Sequence, residues 1–252
     1  MRLGVAIVGF ALLFLVILAG CIESSKELRV YAGAGLKKPM DTVIKEFEKK
    51  YGIKVIPNYG PSGGLYAQIV EGQPCDVYFA ADWKYIEMLK EKGKITESRK
   101  FLKDFEVLVV SKTGDSKGIK SHEDLTKEGV VLAVADPKAP VGAYAERALK
   151  NLGIWEEIIE KDNLKARPST ANQLAIMVKN DEVDAALDYR SVATMYGLKY
   201  VEIFPHNLTG EIIFGIGIIK DGNKDLARKF VEFVLEHIDE FTKYGWEAYE
   251  RS

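Results

Sequence analysis

Short apolar runs alternate with helix-period segments along most of this chain, and glycine or proline marks the junctions between them. Residues 28–32 (LRVYA) read as a buried strand that runs into Gly33-Ala34-Gly35. A helix begins near Lys38-Pro39, where the missing proline N–H costs nothing in a first turn. Met40, Val43, Ile44 and Phe47 then recur at helical spacing up to Gly52. Residues 53–58 form a second strand, Gly60-Pro61-Ser62-Gly63-Gly64 a turn, and Leu65, Ile69 and Val70 the apolar face of a second helix. A third strand over 76–80 and a helix over 83–92 follow. Such alternation specifies an α/β lobe, doubly wound about a parallel sheet.

The pattern restarts after 105–111 (FEVLVVS). It predicts a strand at 130–135, helices at 144–152 and 174–178, and a strand at 185–187. Strands at 200–204 and 212–219 come next, the second leading to a long terminal helix from 226 to about 241. The chain therefore reads as two doubly wound α/β lobes joined by two crossover segments, near 105–111 and 204–213. Lobe I takes residues 22–106 plus 212–252, and lobe II takes 107–211. A chain of 252 residues is long enough for two lobes of roughly 100 residues each.

The first 21 residues belong to neither lobe. Arg2 is a short positive start, residues 4–17 are uncharged and apolar, and Leu18-Ala19-Gly20-Cys21 closes the stretch with small residues and a thiol. This is a secretory signal, and its ending resembles a lipobox, whose cysteine takes a thioether-linked lipid. The alternative is an uncleaved anchor near the lower length that spans a bilayer. On either reading the remainder lies outside the membrane and stays attached to it. The chain carries 35 basic and 37 acidic side chains, a balance that argues against a nucleic-acid partner. With Cys21 lipidated, Cys75 is the only other cysteine; no internal disulfide is expected, and Cys75 reads as a small core side chain.

Several junctions share one composition, a strand followed by small residues and a helix start. They are Gly33-Ala34-Gly35, Pro61-Ser62-Gly63-Gly64, Pro140-Val141-Gly142 and Pro168-Ser169-Thr170. Helix N-termini carry unpaired N–H groups and favour anions. In open α/β sheets these loops gather at the carboxyl ends of the strands, facing a crevice. Each junction alone is an ordinary tight turn; together they point to a small anion held between two lobes.

Residues 60–64 also match the G-x-S-x-G elbow of serine hydrolases, with His206 or His237 and Asp184 or Asp188 as formal partners for Ser62. Two features count against that reading: Ser62 follows only the second strand, and no His-Gly-Gly segment precedes it. The three histidines, His122, His206 and His237, lack metal-ligand spacing. Tyr78, Phe79 and Trp83 read as core. No catalytic residue, cofactor or resident metal is therefore expected.

Three segments, YAGAGLKKPMDTVIKEFEKKYGIKV, YGPSGGLYAQIVEGQPCDVYFAADWKYIEML and ADPKAPVGAYAERALKNLGIW, together with the terminal KYGW, resemble the molybdate- and tungstate-binding lipoproteins of ABC importers. The resemblance implies a lipid-anchored receptor of the periplasmic-binding-protein type II class, monomeric and extracytoplasmic. Its partners would be molybdate or tungstate, the ABC permease and the permease's ATPase. A receptor for phosphate or another oxyanion is the alternative. The resemblance also implies a ligand set. The family's first serine falls on Gly35, which offers only its backbone N–H, and the second falls on Ser62. Amide donors fall on Val141 and Thr170. The family's tyrosine falls on Asp188 or, one residue on, Tyr189. In the tungstate-type branch, residues 188–193 resemble a segment whose acidic residue contacts the metal, but that branch's second carboxylate falls on Ala139, which cannot replace it. Asp188 could coordinate the metal, accept a proton from the ligand, or turn away toward Arg190 and leave Tyr189 as donor; the last is expected.

Overall fold

The computed structural model describes residues 27–249, so the leader and Cys21 lie outside the described residues. Among the described residues no helix is long and apolar enough to cross a membrane.

The first half builds βαβ units. β1 (Glu27–Gly33) pairs in parallel with β2 (Lys54–Gly60) and β3 (Val77–Ala80). α1 (Lys37–Tyr51) carries them apart, burying Pro39, Met40, Val43, Ile44 and Phe47 on one face. It stops at Gly52, whose φ of 65° is the left-handed geometry that glycine adopts without steric cost. α2 (Ser62–Val70) and α3 (Trp83–Glu91) follow β2 and β3. β4 (Ile95–Asp104) ends this half.

β5 (Glu106–Val110) opens the second sheet, followed by α4 (Lys112–Ser116) and β6 (Leu132–Ala133). α5 (Pro140–Asn151), α6 (Trp155–Glu160), β7 (Leu164–Ala166) and α7 (Ala171–Lys179) come next. β8 (Ala185–Tyr189) runs directly into α8 (Arg190–Tyr196), then β9 (Lys199–Phe204) and α9 (His206–Thr209). β10 (Ile212–Ile219), buried along its whole length, α10 (Lys224–Glu236), α11 (Asp239–Thr242) and β11 (Glu247–Ala248) return to the first sheet.

The sheets are six-stranded, in the order β11-β4-β10-β3-β1-β2, and five-stranded, in the order β7-β6-β8-β5-β9. Both are mixed, which corrects the expectation of purely parallel sheets. β10 lies antiparallel to β3 and β4, and β5 antiparallel to β8 and β9. These strands belong to the segments that carry the chain from one sheet to the other, so they enter against the direction of the βαβ strands. β4 carries no apolar run (ITESRKFLKD) and shows no strand signal in the sequence. Its place is set by pairing with β10 from Ile212 to Ile219. The terminal helix breaks at His237 instead of running to 241. α10 docks on α1 through Phe47, whose ring lies 5.0 Å edge-on from Phe230 and 5.4 Å from Phe233. A pair of this kind adds about 0.5–1.5 kcal/mol to the burial itself. The chain tail is thereby fixed to the first sheet.

The chain leaves the first sheet at Phe105 and returns through residues 205–211. At the outward crossing the Ser191 hydroxyl donates to Asp104, the Arg190 amide donates to the Phe105 carbonyl at 2.8 Å, and the Arg190 guanidinium lies 4.5 Å from the Phe105 ring.

Candidate functional site: a donor-lined cavity between the sheets

Strand ends from the first sheet and helix starts from the second enclose a cavity of about 30 Å³. One wall is the end of β1 with its 3-10 turn (Gly33, Ala34, Gly35), the end of β2 with the start of α2 (Gly60, Pro61, Ser62), and Ala81 after β3. The other is Ala139, Pro140 and Val141 at the start of α5, Ser169, Thr170 and Ala171 at the start of α7, and Tyr189 at the end of β8. A single water requires roughly 10–15 Å³, so the cavity has room for a compact ion.

Among the described residues, no lysine, arginine, aspartate or glutamate lines this space. What lines it is donor-rich. The first N–H groups of α2, α5 and α7 have no intrahelical acceptor, and each helix directs the positive end of its dipole inward. Gly142 lets α5 start this close to its strand: a Cβ there would sit 2.3 Å from the Ala135 carbonyl oxygen. Ser62, 1% exposed, accepts the Ala81 amide on Oγ at 3.0 Å. That bond occupies an oxygen lone pair and leaves the hydroxyl hydrogen available. The Ser62 carbonyl in turn accepts the Tyr78 hydroxyl at 2.8 Å, which ties the turn to β3. Thr170 caps α7, its Oγ1 accepting the Gln173 amide at 3.3 Å.

Tyr189 and Asp188 separate by strand geometry, since successive side chains leave a strand on opposite faces. Tyr189 lines the cavity, and its hydroxyl is buried with no hydrogen-bond partner among the described residues. Burial, reinforced by Tyr144 and Glu106, holds its pKa well above the usual phenol value, so it remains a donor. Asp188 does not line the cavity. It is fully buried beside Val107, and its Oδ1 accepts the Tyr189 amide at 2.7 Å. Burial keeps this carboxyl well above the ordinary carboxylate range. The expected partner, Arg190, is engaged elsewhere: it donates to the Gly245 carbonyl and to Glu247. Gly35, Ser62, Val141, Thr170 and Tyr189 thus meet around one space, and Asp188 lies outside it.

The elements of a hydrolase triad are dispersed. His206 packs its ring 4.5 Å from Phe105, His237 lies against Phe233 and 3.4 Å from Glu46, and Asp184 pairs with Lys117. No group of three or more metal-ligating side chains is assembled among the described residues. Cys75 is buried and forms no disulfide among the described residues.

Two hydrogen bonds that close the cavity have no signal in the sequence. The Tyr85 hydroxyl donates to the Lys138 carbonyl at 3.2 Å, and Asn172 Nδ2 donates to the Ala34 carbonyl at 2.9 Å. Each links the two walls. Gly63 is required where they meet, since a Cβ there would lie 2.9 Å from the Tyr85 hydroxyl.

The chain is similar to proteins already known. The model of a family described as bacterial extracellular solute-binding protein matches residues 28–247. The molybdate-binding protein of Escherichia coli strain K12 is 28% identical over 94% of this chain and 95% of its own. That of Azotobacter vinelandii is 35% identical over 55% of this chain and 56% of its own. Among solved structures, the periplasmic molybdate-binding protein of Azotobacter vinelandii superposes with a TM-score of 0.77 at 21% identity, covering 88% of this chain and all of that one.

Proposed function

Because this chain belongs to the bacterial extracellular solute-binding proteins, not to an enzyme family, we propose that it captures molybdate or tungstate between its lobes and delivers it to the permease of an ABC importer, driven by that importer's ATPase. The observation that carries this reading is a cavity of ionic size lined by hydrogen-bond donors and by no charged group. A fully deprotonated tetrahedral dianion accepts hydrogen bonds on every oxygen. Hydrogenphosphate also presents an O–H, which needs an acceptor in the wall, and no carboxyl group is among the residues that line the cavity. Sulfate is disfavoured by size, since its oxygens lie closer to the central atom and reach fewer donors at once.

On this reading Gly35, Val141 and Thr170 contribute backbone N–H groups, and Ser62 and Tyr189 contribute hydroxyls. Residues 22–105 with 212–252 move as lobe I, and 106–211 as lobe II, one residue earlier than the expected boundary because Glu106 opens β5 in the second sheet. The anion contacts both only when they are shut, so binding stabilises the closed arrangement. Residues 1–21 act as a lipoprotein signal, and lipid on Cys21 holds a monomeric receptor at the outer face of the cell membrane. Calorimetric titration with molybdate, tungstate, sulfate and phosphate tests the reading. One-site binding of molybdate or tungstate, with no heat from phosphate, is the expected result; phosphate binding tightest would overturn it.

A further inference from the structure

Of the residues around the cavity, Gly35 is the one whose contribution depends most on something holding it. It has no side chain to donate, and a glycine peptide rotates more freely than any other. Its N–H belongs to the same rigid peptide plane as the Ala34 carbonyl. Whatever fixes that carbonyl therefore fixes where the Gly35 N–H points. The Ala34 oxygen accepts two hydrogen bonds, one from the Lys37 amide inside its own turn and one from Asn172 Nδ2, at 2.9 Å, from the opposite wall.

We propose that Asn172 is a positioning residue for anion retention: by donating to the Ala34 carbonyl across the cleft, it holds the Gly35 amide on the ligand and the lobes shut once the ligand is in place. The inference rests on the oxyanion reading of the cavity. Asn172 is the second residue of α7, directly behind Thr170 and Ala171 in the cavity wall, so the bond exists only when that wall meets the β1 turn. Its other polar atom, Oδ1, is buried without a partner among the described residues. The hydrogen-bonding value of the side chain therefore rests on the single bond to Ala34. Donation to that carbonyl also polarises the peptide and strengthens its N–H as a donor. Because Asn172 acts after closure, its loss appears in release of the anion and leaves capture unchanged.

The test uses the full chain purified in detergent, with molybdate as ligand, and reads Kd by calorimetry and kon and koff by stopped-flow tryptophan fluorescence. Asn172→Asp keeps the shape, removes the donor, and adds a negative charge that suits the start of a helix; it weakens binding without loosening α7. Asn172→Ala is expected to raise koff about tenfold, the loss of one hydrogen bond, and Asn172→Asp to raise it further, with kon within about twofold of wild type. Asn172→Gln restores a donor. The longer side chain has room, because Asn172 borders a cleft of about 510 Å³ between α1 and α8; its koff returns toward wild type. Unchanged koff in Asn172→Asp, or a loss confined to kon, would overturn the inference while leaving the oxyanion reading intact. A wild-type protein that binds neither molybdate nor tungstate would overturn both.

Discussion

Ser191 donates its hydroxyl to the Asp104 carboxyl group at the point where the chain crosses from one sheet to the other. Asp104 is fully buried there, and burial raises its pKa to about 7 against the opposing effect of Ser191, the Phe105 amide and Arg190. Glu106 and Asp188, both fully buried nearby, are raised well above their usual values as well. The folded state therefore holds protons that the unfolded chain releases near pH 4.

The sign of the resulting pH dependence follows from proton linkage. A carboxyl whose folded pKa is raised contributes stability that is fully present below its unfolded value and is lost as pH rises through its folded value. For Asp104 the window runs from about pH 4 to about pH 7, at about 1.4 kcal/mol per unit of displacement. Urea midpoints should fall between pH 5 and pH 8 in the wild type. Asp104→Asn, a neutral mimic of the protonated acid, should flatten that fall. An equally steep fall in the variant would remove Asp104 as its source.

Ser62→Ala should weaken molybdate binding roughly ten- to hundredfold, since a hydrogen bond to a charged ligand is worth about 1.5–3 kcal/mol. The fold should survive, because the turn keeps the Ser62 carbonyl's bond with Tyr78. Calorimetry beside a thermal melt separates the two effects. A titration curve identical to wild type would take Ser62 out of the site.

Tyr189 and Asp188 should part company in the same assay. Tyr189→Phe removes the one buried hydroxyl in the cavity that lacks a partner and should cost about tenfold in affinity. Asp188→Asn keeps the acceptor that holds the Tyr189 amide and should change affinity little. The opposite pattern would mean that the carboxyl group reaches the anion.

Cys21→Ser should release the protein from membranes or leave its precursor uncleaved, as read by fractionation and mass spectrometry. A variant that is processed and sediments with membranes as the wild type does would rule out lipid attachment at this thiol.

The junctions were readable because their chemistry is local. Proline, glycine and a hydroxyl at a strand-to-helix step mark the junctions around Ser62, Val141 and Thr170 without knowledge of the fold, and the family resemblance singles out those residues within them. Tyr189 was readable only as half of a pair, since alternation along β8 separates it from Asp188 but does not say which faces the cavity. β10 announces itself as IIFGIGII, whereas β4 is a strand because β10 and β11 lie beside it. The direction of pairing was equally hidden, because antiparallel entry of β5 and β10 depends on where the chain crosses between sheets. The bonds from Asn172 to Ala34 and from Tyr85 to Lys138 join residues 138 and 53 positions apart. They follow from the meeting of the two walls, which no local pattern encodes.

On the function proposed above, passage between the sheets through Phe105 in one direction and residues 205–211 in the other gives the molecule the mechanics of a caliper. Each jaw is stiffened by its own sheet, so the separation of the jaws' outer faces is set by the thickness of what lies between them. A permease gripping both faces at once would then gauge the cargo without touching it: an ion too large would leave the jaws apart, and one too small would let them reopen before docking is complete.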